Sequence, residues 1–193
     1  DILDIYNGQE DIKNKIIKTP LNPDTTFSDD PLRMLRAIRF ANQLNFKIEQ
    51  ETIKSIKLNK KRIEIISQER ITTELNKILM CKKPSLGIKI LDETGLLDII
   101  LPELTKLKGI DTINKISHKD NFLHTLQVVD NIGVMTDKKN KNLLWLKWSA
   151  LLHDIAKPKT KKFVKTIGWT FHGHDIIGSR MVKKIFTKLK LPL

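Results

Sequence analysis

Apolar residues recur three and four positions apart over most of this chain, the spacing that lines one side of a helix. Residues 1–26 are the exception: Gly8, Pro20 and Pro23 break the pattern, and Ile16-Ile17 reads as a short strand. Pro31 then opens a helix, with Ser28, Asp29 or Asp30 placed to cap it. Leu32, Leu35, Ile38 and Phe40 give it apolar contacts as far as about Gln43. A second helix is expected over 49–58. A third starts after Ser67 and sets Ile71, Leu75, Ile78 and Leu79 in one buried stripe. A fourth runs from Pro84 to Gly95, proline at its start and glycine at its end. Pro102 closes a short piece beyond it, and 103–117 is the candidate domain boundary.

From His118 the character changes, since all five histidines lie at or after this point. A helix is expected over about 120–135 with Leu123, Leu126 and Val129 inward. The next, 142–156, is apolar nearly all round, so it should be buried on most faces, with Trp145 and Trp148 in the core. A Lys-rich loop, a hairpin over Phe163–Phe171 and a last helix from near Asp175 complete the pattern. The fold class is therefore all-α over most of the chain. There is no internal repeat and no low-complexity segment.

Composition narrows the field. Hydrophobic residues at 40% and charged residues at 30% are globular values. Cys81 is the only cysteine, which excludes an intramolecular disulfide, leaves no disulfide partner and rules out a cysteine-based zinc site. No apolar run approaches eighteen residues, so no membrane partner is expected and the compartment expected is cytoplasmic. A formal net charge of +13 points to a polyanion, nucleic acid first, although a Lys-rich and Asn-rich composition reflecting base bias would give the same sign. The start at Asp1 rather than Met leads us to expect an internal fragment.

The most informative stretch is Ser28-Asp29-Asp30-Pro31-Leu32-Arg33-Met34-Leu35-Arg36-Ala37-Ile38-Arg39-Phe40-Ala41. Asp30 and Arg33, three apart, share a helix face and set an acceptor beside a donor. The pairing edges of cytosine and adenine carry an amino donor next to a ring-nitrogen acceptor. Uracil and guanine carry the reverse order, so one Asp-Arg pair admits C and A and rejects U and G. Arg36 and Arg39 continue at three-residue spacing and suit phosphates. Taken alone, an Asp-Arg pair is an ordinary surface ion pair. In context the stretch resembles the glutamate/aspartate-Asp-x-x-Arg motif of class II tRNA nucleotidyltransferases and bacterial poly(A) polymerases, with Asp29 where glutamate is usual. That resemblance implies that Asp30 and Arg33 template the incoming nucleotide; Arg36 and Arg39 are expected at the nucleotide site for their fit to phosphates.

The likeness continues on both sides. Asp4, Gly8 and Asp11 resemble the close of a catalytic head. Ser67-Gln68-Glu69-Arg70-Ile71, Glu93-Thr94-Gly95-Leu96-Leu97 and Leu101-Pro102-Glu103-Leu104 resemble neck and body helices. It implies tRNA, CTP and ATP as partners. The carboxylates that hold Mg2+ for nucleotidyl transfer are expected in a head before residue 1, so no catalytic residue for transfer is assigned in this chain, and the fragment itself is expected to be inactive in transfer.

The histidines form a second constellation. His153-Asp154 closes the apolar helix, where ionisable groups are costly unless paired or ligated, and His124 lies on the helix before it. Two imidazoles and a carboxylate suit a divalent metal, Mg, Mn, Ni, Fe or Zn, whose bound water becomes a nucleophile near neutral pH. A buried His-Asp hydrogen bond with no metal is the plainer alternative. The order His124…His153-Asp154, within Leu151-Leu152-His153-Asp154-Ile155-Ala156-Lys157-Pro158, resembles the HD phosphohydrolase superfamily. That family's later aspartate has no counterpart here, since Asp175 comes too early. His174 and His172 are candidates for a second metal, and His118 and Lys157 for the pocket wall. Lys157, Lys159, Lys161, Lys162 and Lys165 form a basic run that reads either as a solvated loop or as an RNA-binding surface.

The expected organisation is a remnant of an α/β head over 1–26, a helical neck and body over 27–107, and an α-helical HD domain over 116–193, cut short at its C-terminus. The expected function is addition of C and A to the tRNA 3′ end, with an appended metal-dependent phosphohydrolase. The alternatives are an HD phosphohydrolase or phosphodiesterase with an RNA-binding helical module, or an A-adding or poly(A) polymerase. An Asp-Arg template does not separate C-and-A addition from A addition.

Overall fold

The computed structural model describes residues 3–137 and 139–193. The chain divides into two compact units, Asp1–Ile99 and Ile100–Leu193. Both are mainly helical, with short two-stranded pairings only among the described residues.

In the first unit α1 (Gly8–Lys13) leads into β1 (Ile16–Ile17) and α2 (Pro23–Asp29). Asn22 starts α2: its Oδ1 accepts from the amides of Asp24 at 2.9 Å and Thr25 at 3.1 Å, while Pro23 presets the first turn. Next come α3 (Leu32–Leu44), β2 (Lys47–Ile48), α4 (Gln50–Asn59), a 3-10 turn (Lys60–Ile65), α5 (Gln68–Leu79), α6 (Pro84–Glu93) and α7 (Leu96–Ile100). Asn45, in the left-handed region at φ 55°, ends α3 and turns the chain so that β2 pairs parallel with β1, Ile16 opposite Lys47. The core forms where α3 packs on α5 and α6, burying Leu32, Met34, Leu35 and Ile38 with Ile71, Leu75, Ile78, Ile88 and Leu91. Gly87 makes that approach possible, because a Cβ there would lie 2.7 Å from both Ile78 Cγ2 and Asn42 Nδ2.

The second unit holds α8 (Pro102–Thr105), β3 (Thr112–Ile113), β4 (Ile116–Ser117), α9 (Asn121–Met135), α10 (Leu143–Leu152), α11 (Lys157–Thr160), β5 (Lys162–Val164), β6 (Gly168–Thr170) and α12 (His174–Lys188). β3–β4 and β5–β6 are antiparallel hairpins. They are tied together by Trp169, whose Nε1 donates to the Ile116 carbonyl at 3.0 Å. No helix among the described residues is long and apolar enough to cross a membrane.

Four local expectations change. Leu123 is 54% exposed, because α9 buries Phe122, Thr125, Leu126 and Val129, a stripe one position out of step with it. Trp145 and Phe40 are part-exposed at 36% and 40%, Trp145 touching Phe186 and Phe40 carrying the Arg39 guanidinium. The apolar helix stops at Leu152 rather than 156: the chain tightens into a turn in which the Ile155 amide bonds back to Leu152 and that of Lys157 to Asp154.

Candidate functional site

In the first unit α2 and α3 meet at Asp30, an extended residue whose Oδ1 accepts from the Leu32 amide at 3.2 Å. That bond fixes the carboxylate at the start of α3, and three arginines surround it. Arg33 Nε lies 3.9 Å and Arg36 NH1 4.0 Å from Oδ2, and Arg70 NH2 of α5 lies 3.7 Å from Oδ1. These are ion-pair distances longer than hydrogen bonds, so the guanidinium donors remain free to engage a ligand. Arg62 steadies the approach to the site, donating to the Ser28 carbonyl at 2.8 Å. Beside the cluster, Arg33 and Arg36 line a cavity of about 410 Å3 whose other walls include Ile17, Pro20, Leu21 and Phe40.

Arg39 goes elsewhere. Its NH1 lies 3.2 Å from Glu74 Oε2 of α5, with the side chains 13% and 4% exposed, so it joins α3 to α5 as a buried ion pair. Sequence reasoning gave no role to Arg62 or Arg70. Arg70 was visible only as part of the Ser67-Gln68-Glu69-Arg70-Ile71 stretch, and nothing local marks Arg62.

In the second unit Asp120 caps α9, its Oδ1 accepting from the Leu123 amide at 2.9 Å. This sets His124 on the first turn. α9 packs on α10, at whose end stands His153, so that His124 and His153 face each other with ring centroids 5.7 Å apart. The ligand atoms of His124, His153 and Asp154 all lie within 4.8 Å of one another. Asp154 is 3% exposed. Its Oδ2 is 3.1 Å from His153 Nε2 and 2.6 Å from Lys157 Nζ, and its Oδ1 is 3.8 Å from His174 Nε2. Burial pushes the Asp154 carboxyl up, but the hydrogen bonds from His153 and Lys157 outweigh it and hold the group at about 2. The same bond to Asp154 raises the His153 imidazole above its ordinary value, against burial.

The donor set fits a divalent metal. His153 Nδ1 is 2.8 Å from the Ala150 carbonyl and His174 Nδ1 is 2.8 Å from that of Phe171, which turns both Nε2 atoms towards Asp154. His118 stands apart from this set: Nε2 accepts from the Asp111 amide at 3.1 Å, Nδ1 sits 2.7 Å from the Lys119 carbonyl, and the ring packs edge-on to Trp169 and Phe171. His172 is exposed. Asp175 opens α12, exposed and outside the three-residue cluster. His118, His124 and Lys157 share the wall of an open cavity of about 460 Å3 with Trp169 and Phe171.

Two family models match separate stretches of the chain. Residues 45–108 match the family described as "Probable RNA and SrmB- binding site of polymerase A", and residues 121–191 match the HD domain. An A-adding tRNA nucleotidyltransferase from Deinococcus radiodurans is 34% identical across 99% of this chain and 44% of its own length. A multifunctional CCA protein from Neisseria gonorrhoeae is 33% identical across 99% and 45%. The chain thus spans less than half the length of these relatives. Among solved structures, a tRNA-processing enzyme in an apo form aligns over 98% of this chain and 46% of its own with a TM-score of 0.62. At 19% identity that likeness is one of fold.

Proposed function

We propose, for a chain that belongs with the tRNA nucleotidyltransferases carrying an HD domain, that its first unit selects the nucleotide added to a tRNA 3′ end. The observation that carries this is Asp30, fixed by its bond to the Leu32 amide and ringed by Arg33, Arg36 and Arg70. Asp30 accepts the exocyclic amino group of C or A, and Arg33 donates to the adjacent ring nitrogen. A base presenting the reverse order leaves both groups unpaired, a cost of about 1–3 kcal/mol per group. Arg36 and Arg70 hold phosphate, for which a planar fork is suited. The apolar wall of the neighbouring cavity fits the flat body of a base. Arg39 supports the site through Glu74 rather than touching the nucleotide. Phosphoryl transfer and its Mg2+ are assigned to none of these residues.

The second unit is proposed as a divalent-metal phosphohydrolase. His124, His153 and Asp154 would hold the ion, which supplies a water of lowered pKa as nucleophile. Lys157, between Asp154 and the cavity, would meet a substrate phosphate, and His174 would stabilise Asp154 or take part in a second site.

The test uses the protein that carries this chain, tRNA lacking its 3′ CCA, and labelled CTP and ATP offered separately and together, with Asp30→Ala alongside. Addition of C and then A, with base choice lost in the variant, supports C-and-A addition templated by Asp30. Addition of A alone supports the A-adding reading. Absence of both, with metal-dependent phosphoesterase activity present, overturns nucleotide selection and leaves the second unit as the function.

A further inference from the structure

Asp30 stands at the end of a short helix whose last turn is loosely closed. α2 runs only from Pro23 to Asp29, and the Asp30 amide reaches the Thr26 carbonyl at 3.3 Å, beyond the usual range for such a bond. The last carbonyls of any helix lack donors within the helix. In α2 one of them, that of Ser28, takes its donor from outside, since Arg62 NH2 donates to it at 2.8 Å. Asp30 follows two residues on, its carboxylate accepting from the Leu32 amide at 3.2 Å. Where that carboxylate sits therefore depends on where the last turn of α2 is held.

Arg62 belongs to the stretch that also holds the other end of α2. Asp24, in the first turn, accepts at Oδ1 from Ser55 Oγ and, at 3.0 Å, from Asn59 Nδ2, both on α4. The 3-10 turn that carries Arg62 follows α4 directly. Ile63 and Ile66 beside it are buried, so the guanidinium is delivered from a backbone anchored in the core. Phe27, fully buried between the two ties, seats the middle of the helix. Residues 55–62 thus clamp α2 at both ends, and Arg62 is the clamp on the end that leads into Asp30. The Arg62 side chain itself is exposed, so its loss opens no cavity. What its loss changes is the position of the residues that follow Ser28.

We infer that Arg62 is a positioning residue for nucleotide choice, acting through the Ser28 carbonyl to set where the Asp30 carboxylate meets the edge of the incoming base. The inference rests on the reading of Asp30 as the group that accepts from that edge. Paired hydrogen bonds need their partners placed to within about 0.5 Å, and a displacement of about 1 Å costs about 100-fold. When Asp30 drifts from its place beside Arg33, a matched base loses bonds that a mismatched base never made. The fall is then confined to the matched nucleotide, whereas a loosened fold lowers every nucleotide alike.

The test measures kcat/KM for CTP, ATP and UTP in the protein that carries this chain, with tRNA lacking its 3′ CCA as acceptor. Arg62→Met keeps the length of the side chain and removes the donor. It should lose about tenfold in preference for the added base over U, the worth of about one hydrogen bond, with the rate for U unchanged. Arg62→Lys still offers a donor to a single carbonyl, which needs no fork, and should return to within about threefold of wild type. Asp30→Ala and the double variant Asp30→Ala with Arg62→Met complete a cycle. Because Arg62 acts through Asp30, the second substitution should change the preference no further once the first is made. Thermal midpoints by circular dichroism show that each variant is folded. The inference falls if Arg62→Met lowers C, A and U alike, or if its effect adds in full to that of Asp30→Ala. It falls too if Arg62→Met keeps its preference while Asp30→Ala loses it. If Asp30→Ala keeps its preference, the reading of Asp30 itself fails and this inference goes with it.

Discussion

Breaking the Arg39–Glu74 pair should destabilise the first unit without directly altering nucleotide choice. The two groups are 3.2 Å apart and almost wholly enclosed, at 13% and 4% exposure. Removing one partner of such a pair leaves a buried charge uncompensated, which costs about 3–5 kcal/mol. The two halves are not equivalent. Glu74 keeps Lys77 at 3.1 Å when Arg39 is lost, so Arg39→Met should fall at about 3 kcal/mol or slightly below. Among the described residues no other acid pairs with Arg39, so Glu74→Leu should reach the upper end of that range. The double variant should recover most of the loss, since apolar groups of similar volume replace a buried pair at little net cost. With a urea m-value of about 1–3 kcal/mol/M, a loss of 3 kcal/mol moves the midpoint by about 1–3 M. Urea unfolding should be followed by far-UV circular dichroism, which sees both units. Tryptophan fluorescence sees only the second, because Trp145, Trp148 and Trp169 all lie there. An unchanged midpoint in Arg39→Met, together with lost discrimination among nucleotides, would refute this reasoning and return Arg39 to the ligand site.

Other outcomes follow from the same geometry. Metal affinity, measured by titration calorimetry, should weaken as pH falls from 8 to 5.5, because the proton that competes for His153 binds above its ordinary pKa of 6.5; a flat profile would remove His153 from the ligand set. For the metal-free chain the signs differ by group. The lowered Asp154 contributes about 2 kcal/mol of stability, present above 3.8 and lost as pH falls through about 2. The raised His153 contributes stability that is full below 6.5 and lost as pH rises through its folded value, so thermal midpoints should decline on the alkaline side. Gly87→Ala should cost about 1–3 kcal/mol by thermal denaturation, since its Cβ meets Ile78 and the enclosed Asn42 amide at 2.7 Å. Arg33→Lys keeps the charge but loses the fork, so it should relax the preference for C and A over U and G by about tenfold or more in misincorporation assays, whereas unchanged selectivity would mean that Arg33 supplies charge alone.

Helices were legible where burial follows a single period and capping residues are local. Ile71, Leu75, Ile78 and Leu79 gave α5, and Pro84 with Gly95 bounded α6, because each signal lies within a few residues of the feature it specifies. Leu123 misled because all of Phe122, Leu123, Leu126 and Val129 are apolar, and the inward stripe is decided by where α10 sits, which no local pattern records. The β1–β2 pairing joins residues some thirty positions apart, so only one of its strands was seen. The β3–β4 hairpin was missed for another reason: Asn114 and Lys115 take φ of 52° and 63° without a glycine to advertise the turn. At the sites, Asp30 with Arg33 and His153 with Asp154 were readable as neighbours in sequence. Arg70 reaches Asp30 only across the α3–α5 packing, and no sequence spacing announces it.

Arginine is unevenly distributed between the two units. Five of the six arginines lie in residues 1–99, at positions 33, 36, 39, 62 and 70, while the second unit has one arginine and 17 lysines. An arginine fork fixes direction, and each in the first unit faces an oxygen at a definite place: Asp30, Ser28 or Glu74. Direction matters where one base edge must be told from another. A lysine is a hydrated point charge on a flexible stem, suited to attracting phosphates without reading sequence. Under the proposed function, the arginines around Asp30 are the groups that would tell one base edge from another, while the lysines of the second unit supply charge without direction.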